Sequence, residues 1–255
     1  MLERNVLISE AENAINWIKE FVNNSNSKGV VVGNSGGKDS ATVIAMATKA
    51  LGKENVLTVA MPCNSIEDDL NDAKLVSKTY DVRFLEVNLT NTYNELENSI
   101  NSSLNNIEKE LILESKINIK PRLRMTTLYS IAQSLGYLVI GTGNLCEAIV
   151  GYTTKWGDNG SDFNPIANFT VDEVLAIGEY LGVPDKILKK APNDGLGGKT
   201  DEEKLGVTYK QIAEYIETGK TDENAMAIID KLNKTSKHKR RLVPVYDFKR
   251  IKYLN

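Results

Sequence analysis

Val30-Val31-Val32-Gly33-Asn34-Ser35-Gly36-Gly37-Lys38-Asp39-Ser40 is the stretch that orders everything around it. Three consecutive β-branched residues make a short apolar run, the pattern of a strand buried on both faces. The run ends in a Ser-Gly-Gly-Lys-Asp-Ser turn, and Ala41 to Ala50 is rich in helix formers, so the turn opens a helix. Glycine lets a backbone approach a ligand closely, and the unpaired N–H groups of a helix start attract anions. Strand, turn and helix in that order form a phosphate site. Asp39 adds a carboxylate that a phosphate-only cradle has no use for and that suits a magnesium ion. The spacing is not the Gly-x-x-x-x-Gly-Lys-Ser/Thr of the familiar P-loop. The plainer alternative is a glycine-rich turn whose Asp39 merely complements the helix dipole.

Around this unit the chain alternates. Ile8, Ala11, Ile15, Ile18 and Val22 recur at three- and four-residue steps and predict an amphipathic N-terminal helix, ended by Asn23 to Ser27. Further strands are predicted at 56–61, 82–87 and 137–141, with helices from Lys38, over 66–80 and over 122–135. Alternating strands and helices imply an α/β fold, a doubly wound parallel sheet flanked by helices. Ligands in such folds bind at the carboxyl ends of the strands. Ser35-Gly36-Gly37, Met61-Pro62 and Gly141-Thr142-Gly143-Asn144 all fall at such ends and should converge. Tyr93, Leu96, Ile100, Leu104, Ile107 and Leu111 mark one long polar helix whose apolar stripe is either a core face or a subunit interface. Pro192 to Lys204 reads as a loop with the composition of a ligand-closing lid. Residues 1–255 are expected to form one domain.

The 255 residues carry a net charge of -3, which argues against general nucleic-acid binding. No apolar run is long enough to span a bilayer, and the polar, acidic start is unlike a signal peptide. Cys63 and Cys146 are too few for a disulfide framework or a zinc site and are read as small packing residues. A cytoplasmic protein is expected.

Gly141-Thr142-Gly143-Asn144-Leu145-Cys146-Glu147 follows a strand and opens a second helix. Asn144 with Glu147 three residues on is a capping-box pair. The functional alternative makes Glu147 a second magnesium carboxylate beside Asp39, with Thr142 bonding a nucleotide. Lys155 and Asp162 lie in the glycine-rich stretch that follows. The basic run Lys234, Lys237, His238, Lys239, Arg240, Arg241 holds the only histidine of the chain.

Taken jointly these segments resemble a known family. Ser-Gly-Gly-Lys-Asp-Ser at 35–40 resembles the pyrophosphate loop of the ATP pyrophosphatases. Pro121-Arg122-Leu123-Arg124-Met125, Gly-Thr-Gly-Asn-Leu-Cys-Glu at 141–147 and Thr-Lys-Trp-Gly-Asp at 154–158 extend the likeness. So do Thr200-Asp201-Glu202, Leu205 to Tyr209 and His238-Lys239-Arg240, so that the whole order is similar to the ammonia-dependent NAD synthetases. The resemblance implies a Rossmann-like fold of the adenine nucleotide alpha-hydrolase type. It implies ATP binding by Gly33, Asn34, Ser35, Gly36, Gly37, Lys38, Asp39, Ser40, Thr142 and Asn193. Arg122, Lys155, Asp162, His238 and Lys239 would bind nicotinic acid adenine dinucleotide (deamido-NAD), and Asp39 with Glu147 would hold Mg2+. No side-chain nucleophile is implied, and His238 is assigned to binding, not proton transfer. Two positions depart from the pattern: Val171 stands where a lysine is usual, and Asn193 where Thr or Ser is.

The implied reaction adenylates the nicotinate carboxylate with ATP, then displaces AMP with ammonia to give NAD. Glutamine-dependent relatives carry an added hydrolase domain, for which the 32 residues before Gly33 leave no room, so free ammonia, or ammonia from a separate protein, is the implied donor. A homodimer is implied, with the Tyr93–Leu111 segment as its interface.

Overall fold

The structure is a computed structural model, and it describes residues 2–190 and 200–246. Strands β1 (Val30–Gly33), β2 (Val56–Ala60), β3 (Arg83–Glu86) and β4 (Leu138–Ile140) form one parallel sheet in the order β3-β2-β1-β4. Val30 pairs with both Val56 and Leu138, so β1 sits between its two neighbours. Successive side chains on β1 take opposite faces. Val30 and Val32 pack with helices α1 (Arg4–Asn24), α2 (Lys38–Leu51) and α7 (Val171–Tyr180). Val31 packs on the other face with α4 (Thr90–Leu104) and α5 (Leu113–Leu135). All three valines are fully buried, as a two-sided core strand requires. Helix α3 (Glu67–Thr79) connects β2 to β3. The connection from β3 then crosses to the opposite edge, so the strand order reverses between β1 and β4, and the segments after these two strands flank a topological switch point.

A third cluster sits beyond the carboxyl ends. It joins Cys146 and Val150 of α6 (Leu145–Val150) and Val171 to residues of α10 (Tyr209–Thr218) and α11 (Glu223–Thr235). The short helices α8 (Asp185–Leu188) and α9 (Asp201–Leu205) lie between α7 and α10.

Three expectations are corrected. The helix expected over Tyr93–Leu111 ends at Leu104, and Glu108 takes a left-handed φ of 56° after a 3-10 turn. Asn101 explains part of the break: its Oδ1 accepts from the Leu111 N–H at 2.9 Å, an alternative to continued helix. Helix α5 starts nine residues before Arg122 and runs through Pro121. The end of the expected 192–204 loop is helical instead: Thr200 and Glu203 form a capping box that starts α9. Residues 191–199 of that loop, Asn193 among them, lie outside the described residues.

Candidate active site

The turn after β1 is built from inside. Asn34 is buried, and its amide donates to the Ala73 carbonyl at 2.8 Å and Ser77 Oγ at 3.0 Å, while its Oδ1 accepts from the Gly36 N–H at 3.1 Å. One side chain therefore pins the turn to α3. Gly36 has φ +73°, and a Cβ there would lie 2.6 Å from the Asp69 carbonyl oxygen and 2.8 Å from Asp72 Cβ. Only glycine fits so close a backbone approach. Ser35 Oγ lies 3.1 Å from Ser40 Oγ, and Ser40 Oγ donates to the Gly37 carbonyl at 3.0 Å. Among the described residues no side chain caps α2, in contrast to α6, α9 and α10, whose N-cap side chains each accept a backbone N–H. Lys38, Asp39 and Ser40 instead line a cavity of about 620 Å³. The start of α2 thus offers its N–H donors to an anion.

Across the switch point, Asn144 joins two carboxylates. It is 1% exposed; its amide donates to Asp39 Oδ1 at 3.1 Å, and its backbone N–H donates to Glu147 Oε2 at 2.9 Å. The capping box is formed, and the same Asn144 keeps Asp39 and Glu147 side by side. Asp39 Oδ2 is 3.3 Å from Lys38 Nζ. Burial, and then the Asp39 charge, push the Glu147 carboxyl well above its ordinary pKa. A buried carboxyl beside the Asp39 carboxylate has the donor chemistry for a divalent cation, whose charge would favour the ionised form of Glu147. Among the described residues no group of three or more metal-ligating side chains occurs. Magnesium needs none, since it takes one or two carboxylates and fills its shell with water and phosphate.

The other expected residues divide. Thr142 and Lys239 line the same cavity. Lys239 Nζ donates to the Gly151 and Thr153 carbonyls at 2.7 and 2.6 Å and so holds the 151–154 loop. Arg122 is exposed, and its Nε donates to the Lys155 carbonyl at 3.3 Å. Lys155 Nζ lies 5.3 Å from the ring centre of Trp156. Asp162 faces the sheet edge: its Oδ2 accepts from the Val139 N–H at 2.7 Å, and its Oδ1 from Tyr129 Oη at 3.2 Å. His238 is exposed. Arg122, Lys155, Asp162 and His238 flank the cavity and do not line it.

Sequence reasoning read Asn144 only as a helix cap and gave Arg124 and Tyr209 no role in the site. Arg124 lines the cavity, with Nε donating to the Met61 carbonyl at 3.2 Å. It sits two residues from Arg122, and residues i and i+2 point to nearly opposite sides of a helix, so composition alone could not say which arginine turns inward. Tyr209 is buried against the loop, its ring centre 5.9 Å from Lys38 Nζ. Val171, in place of the usual lysine, packs in the third core cluster.

This arrangement matches known proteins along nearly the whole chain. The sequence model of the family described as NAD synthase matches residues 10–252. The chain belongs to the NAD synthase family. The NH(3)-dependent NAD(+) synthetase of Carboxydothermus hydrogenoformans is 42% identical over 237 residues, covering 92% of this chain and 96% of the relative. The NMN synthetase structure from Francisella tularensis has a TM-score of 0.89 at 32% identity, covering 97% of this chain and all of that one. The NH3-dependent NAD synthetase structure from Campylobacter jejuni has a TM-score of 0.74 at 27% identity, again covering 97% and 100%. This member of the NAD synthase family is a ligase, and the known reaction of that family is the ATP-dependent amidation of deamido-NAD by ammonia. No helix among the described residues is long and apolar enough to cross a membrane.

Proposed function

We propose that the cavity at the switch point is the adenylation site and that residues 1–255 act as one catalytic unit in the cytoplasm. The Gly33–Ser40 loop takes the ATP phosphates, with Thr142 and Asn193 on the nucleotide. Asp39 and Glu147 hold Mg2+, which when bound neutralises the departing pyrophosphate. Arg122, Lys155, Asp162, His238 and Lys239 take deamido-NAD. The observation that carries this reading is the Asp39–Asn144–Glu147 bridge facing the uncapped start of α2.

A carboxylate is a poor acyl donor. Its oxygen attacks the α-phosphorus, the bond to pyrophosphate breaks, and the resulting acyl-adenylate carries a good leaving group. Ammonia then attacks the carbonyl carbon, the bond to AMP breaks, and a proton is released with the amide. No step needs a side-chain nucleophile. The chain's contribution is alignment and charge neutralisation.

The exposed acceptor residues suit a homodimer in which a second copy covers them. Tyr93 to Leu111 remains the proposed interface: Tyr93 is buried in this chain's own core, whereas Leu96 and Ile107 are exposed. Light scattering should give about twice 28.2 kDa; a monomer at all concentrations rejects the dimer.

Mass spectrometry of products from ATP, magnesium and deamido-NAD, with ammonium or glutamine in separate reactions, tests the whole reading. NAD and AMP from ammonium alone are expected. The high TM-score to an NMN synthetase favours one second reading, the corresponding mononucleotide acid as acceptor, and a parallel reaction with that acid decides between them.

A further inference from the structure

Among the described residues, four cationic side chains other than Lys38 line the cavity: Arg124, Lys190, Lys204 and Lys239. Arg124 and Lys239 are committed to backbone carbonyls. Lys190 is placed differently. Its Nζ lies 2.8 Å from Asp69 Oδ1 and 2.6 Å from Asp72 Oδ2. These same two residues close under the nucleotide loop, since a Cβ on Gly36 would strike the Asp69 carbonyl and Asp72 Cβ. The ammonium group is therefore held on α3, beside the backbone that faces the anion. Asp72 is 2% exposed and has a second cation, Lys186, 2.6 Å from its Oδ1. The neighbouring Lys189 is exposed and pairs with Asp185.

We propose that Lys190 is a polyphosphate-binding residue of this enzyme, held by Asp69 and Asp72 beside the Gly36 turn so that its remaining N–H reaches a phosphate oxygen of ATP. An ammonium has three donors, and the two carboxylates use two. Lys186 keeps Asp72 compensated as Lys190 turns part of its charge to the ligand. Lys190 thus supplies, from the C-terminal side of α8, the positive charge that Val171 cannot supply from the start of α7. The inference rests on the adenylation site proposed above.

Steady-state kinetics of Lys190→Met and Lys190→Gln, alongside the parent enzyme, test it. Loss of one charge-assisted hydrogen bond should raise KM for ATP roughly tenfold, with KM for deamido-NAD within about twofold and Lys190→Arg recovering most of the loss. A folded variant whose KM for ATP is unchanged overturns the proposal, as does an equal rise in both KM values, which marks a structural role. If neither neutral variant folds, failure of Lys190→Arg to keep the parent KM for ATP counts against it when its melting temperature is normal. An inactive parent enzyme would instead reject the adenylation reading itself.

Discussion

The two sides of the cavity are built on opposite principles. On the nucleotide side, around Gly33 to Ser40, the side chains that shape the turn are spent on the protein, and the backbone is what faces the ligand. Asn34 bonds α3, the two serines bond each other and the turn, and α2 is left uncapped. On the proposed acceptor side the charged side chains themselves would be the recognition elements, yet four of the five proposed there flank the cavity and do not line it. A phosphate is the same in every ATP, so a rigid array of N–H donors recognises it at little entropic cost. An acceptor with a nicotinate and a nucleotide needs longer reach. The comparison teaches where single substitutions should be catastrophic and where they should be graded.

Asp39→Asn offers the sharpest break. The amide keeps an oxygen for the Asn144 bond but removes the charge, so pyrophosphate release should fall roughly a thousandfold through loss of metal-assisted charge neutralisation, at nearly unchanged melting temperature. A fully active, well-folded variant would refute the magnesium assignment. Next comes Gly36→Ala. Its added methyl must displace backbone of α3 at a position with φ +73°; we expect about 1–3 kcal/mol lost in stability and adenylation reduced by roughly a hundredfold, as a small misplacement at a reacting site costs. On the other side, Lys155→Ala should be graded, raising KM for deamido-NAD roughly tenfold through one lost charge contact and leaving KM for ATP alone. If Lys155→Ala instead changes both equally, the two sides are not independent.

Asp162 and Asp72 should show the contrast between binding and scaffolding. Asp162→Ala leaves the Val139 N–H unpaired at the edge of β4, so about 1–3 kcal/mol of stability should go, visible in chemical denaturation, in addition to any effect on substrate. Asp72 gives a pH signature. Burial alone would raise its pKa, but Lys186 and Lys190 outweigh burial and hold it below the ordinary value. Its stabilisation is therefore present above the unfolded-state pKa of about 3.9 and is lost as pH falls through the lower folded value. The parent enzyme should lose melting temperature below about pH 4, and Asp72→Asn should lose it already at neutral pH and show a flatter acid limb. Equal acid limbs would mean that other carboxylates govern the transition.

Much of the fold was legible because its signals are local. Val30 to Ser40 carries strand, turn and helix within eleven residues, and the valine run is buried as its apolarity requires. The N-terminal helix buries Ala11, Ile15, Ile18 and Val22 as their spacing predicts, with Leu7 taking the inner place expected of Ile8. The capping box at Asn144 and Glu147 was equally readable. The Tyr93–Leu111 stripe misled because a helical period can persist where asparagine side chains compete for the backbone and end the helix. The helix predicted over 122–135 begins earlier, at Leu113, and α5 carries Pro121 in mid-helix.

What the sequence by itself determined is the order of elements, the parallel sheet, the strand–turn–helix unit of Val30 to Ser40 and the membership in a family, because each is a pattern of neighbours along the chain. What only the tertiary structure decided is which polar groups meet. Asn144 joins Asp39 to Glu147 across 105 residues, Arg124 and not Arg122 turns into the cavity, and Lys190 comes to rest on Asp69 and Asp72 from 118 or more residues away. Such meetings depend on strand order and helix rotation, which local periodicity leaves free and which packing alone sets.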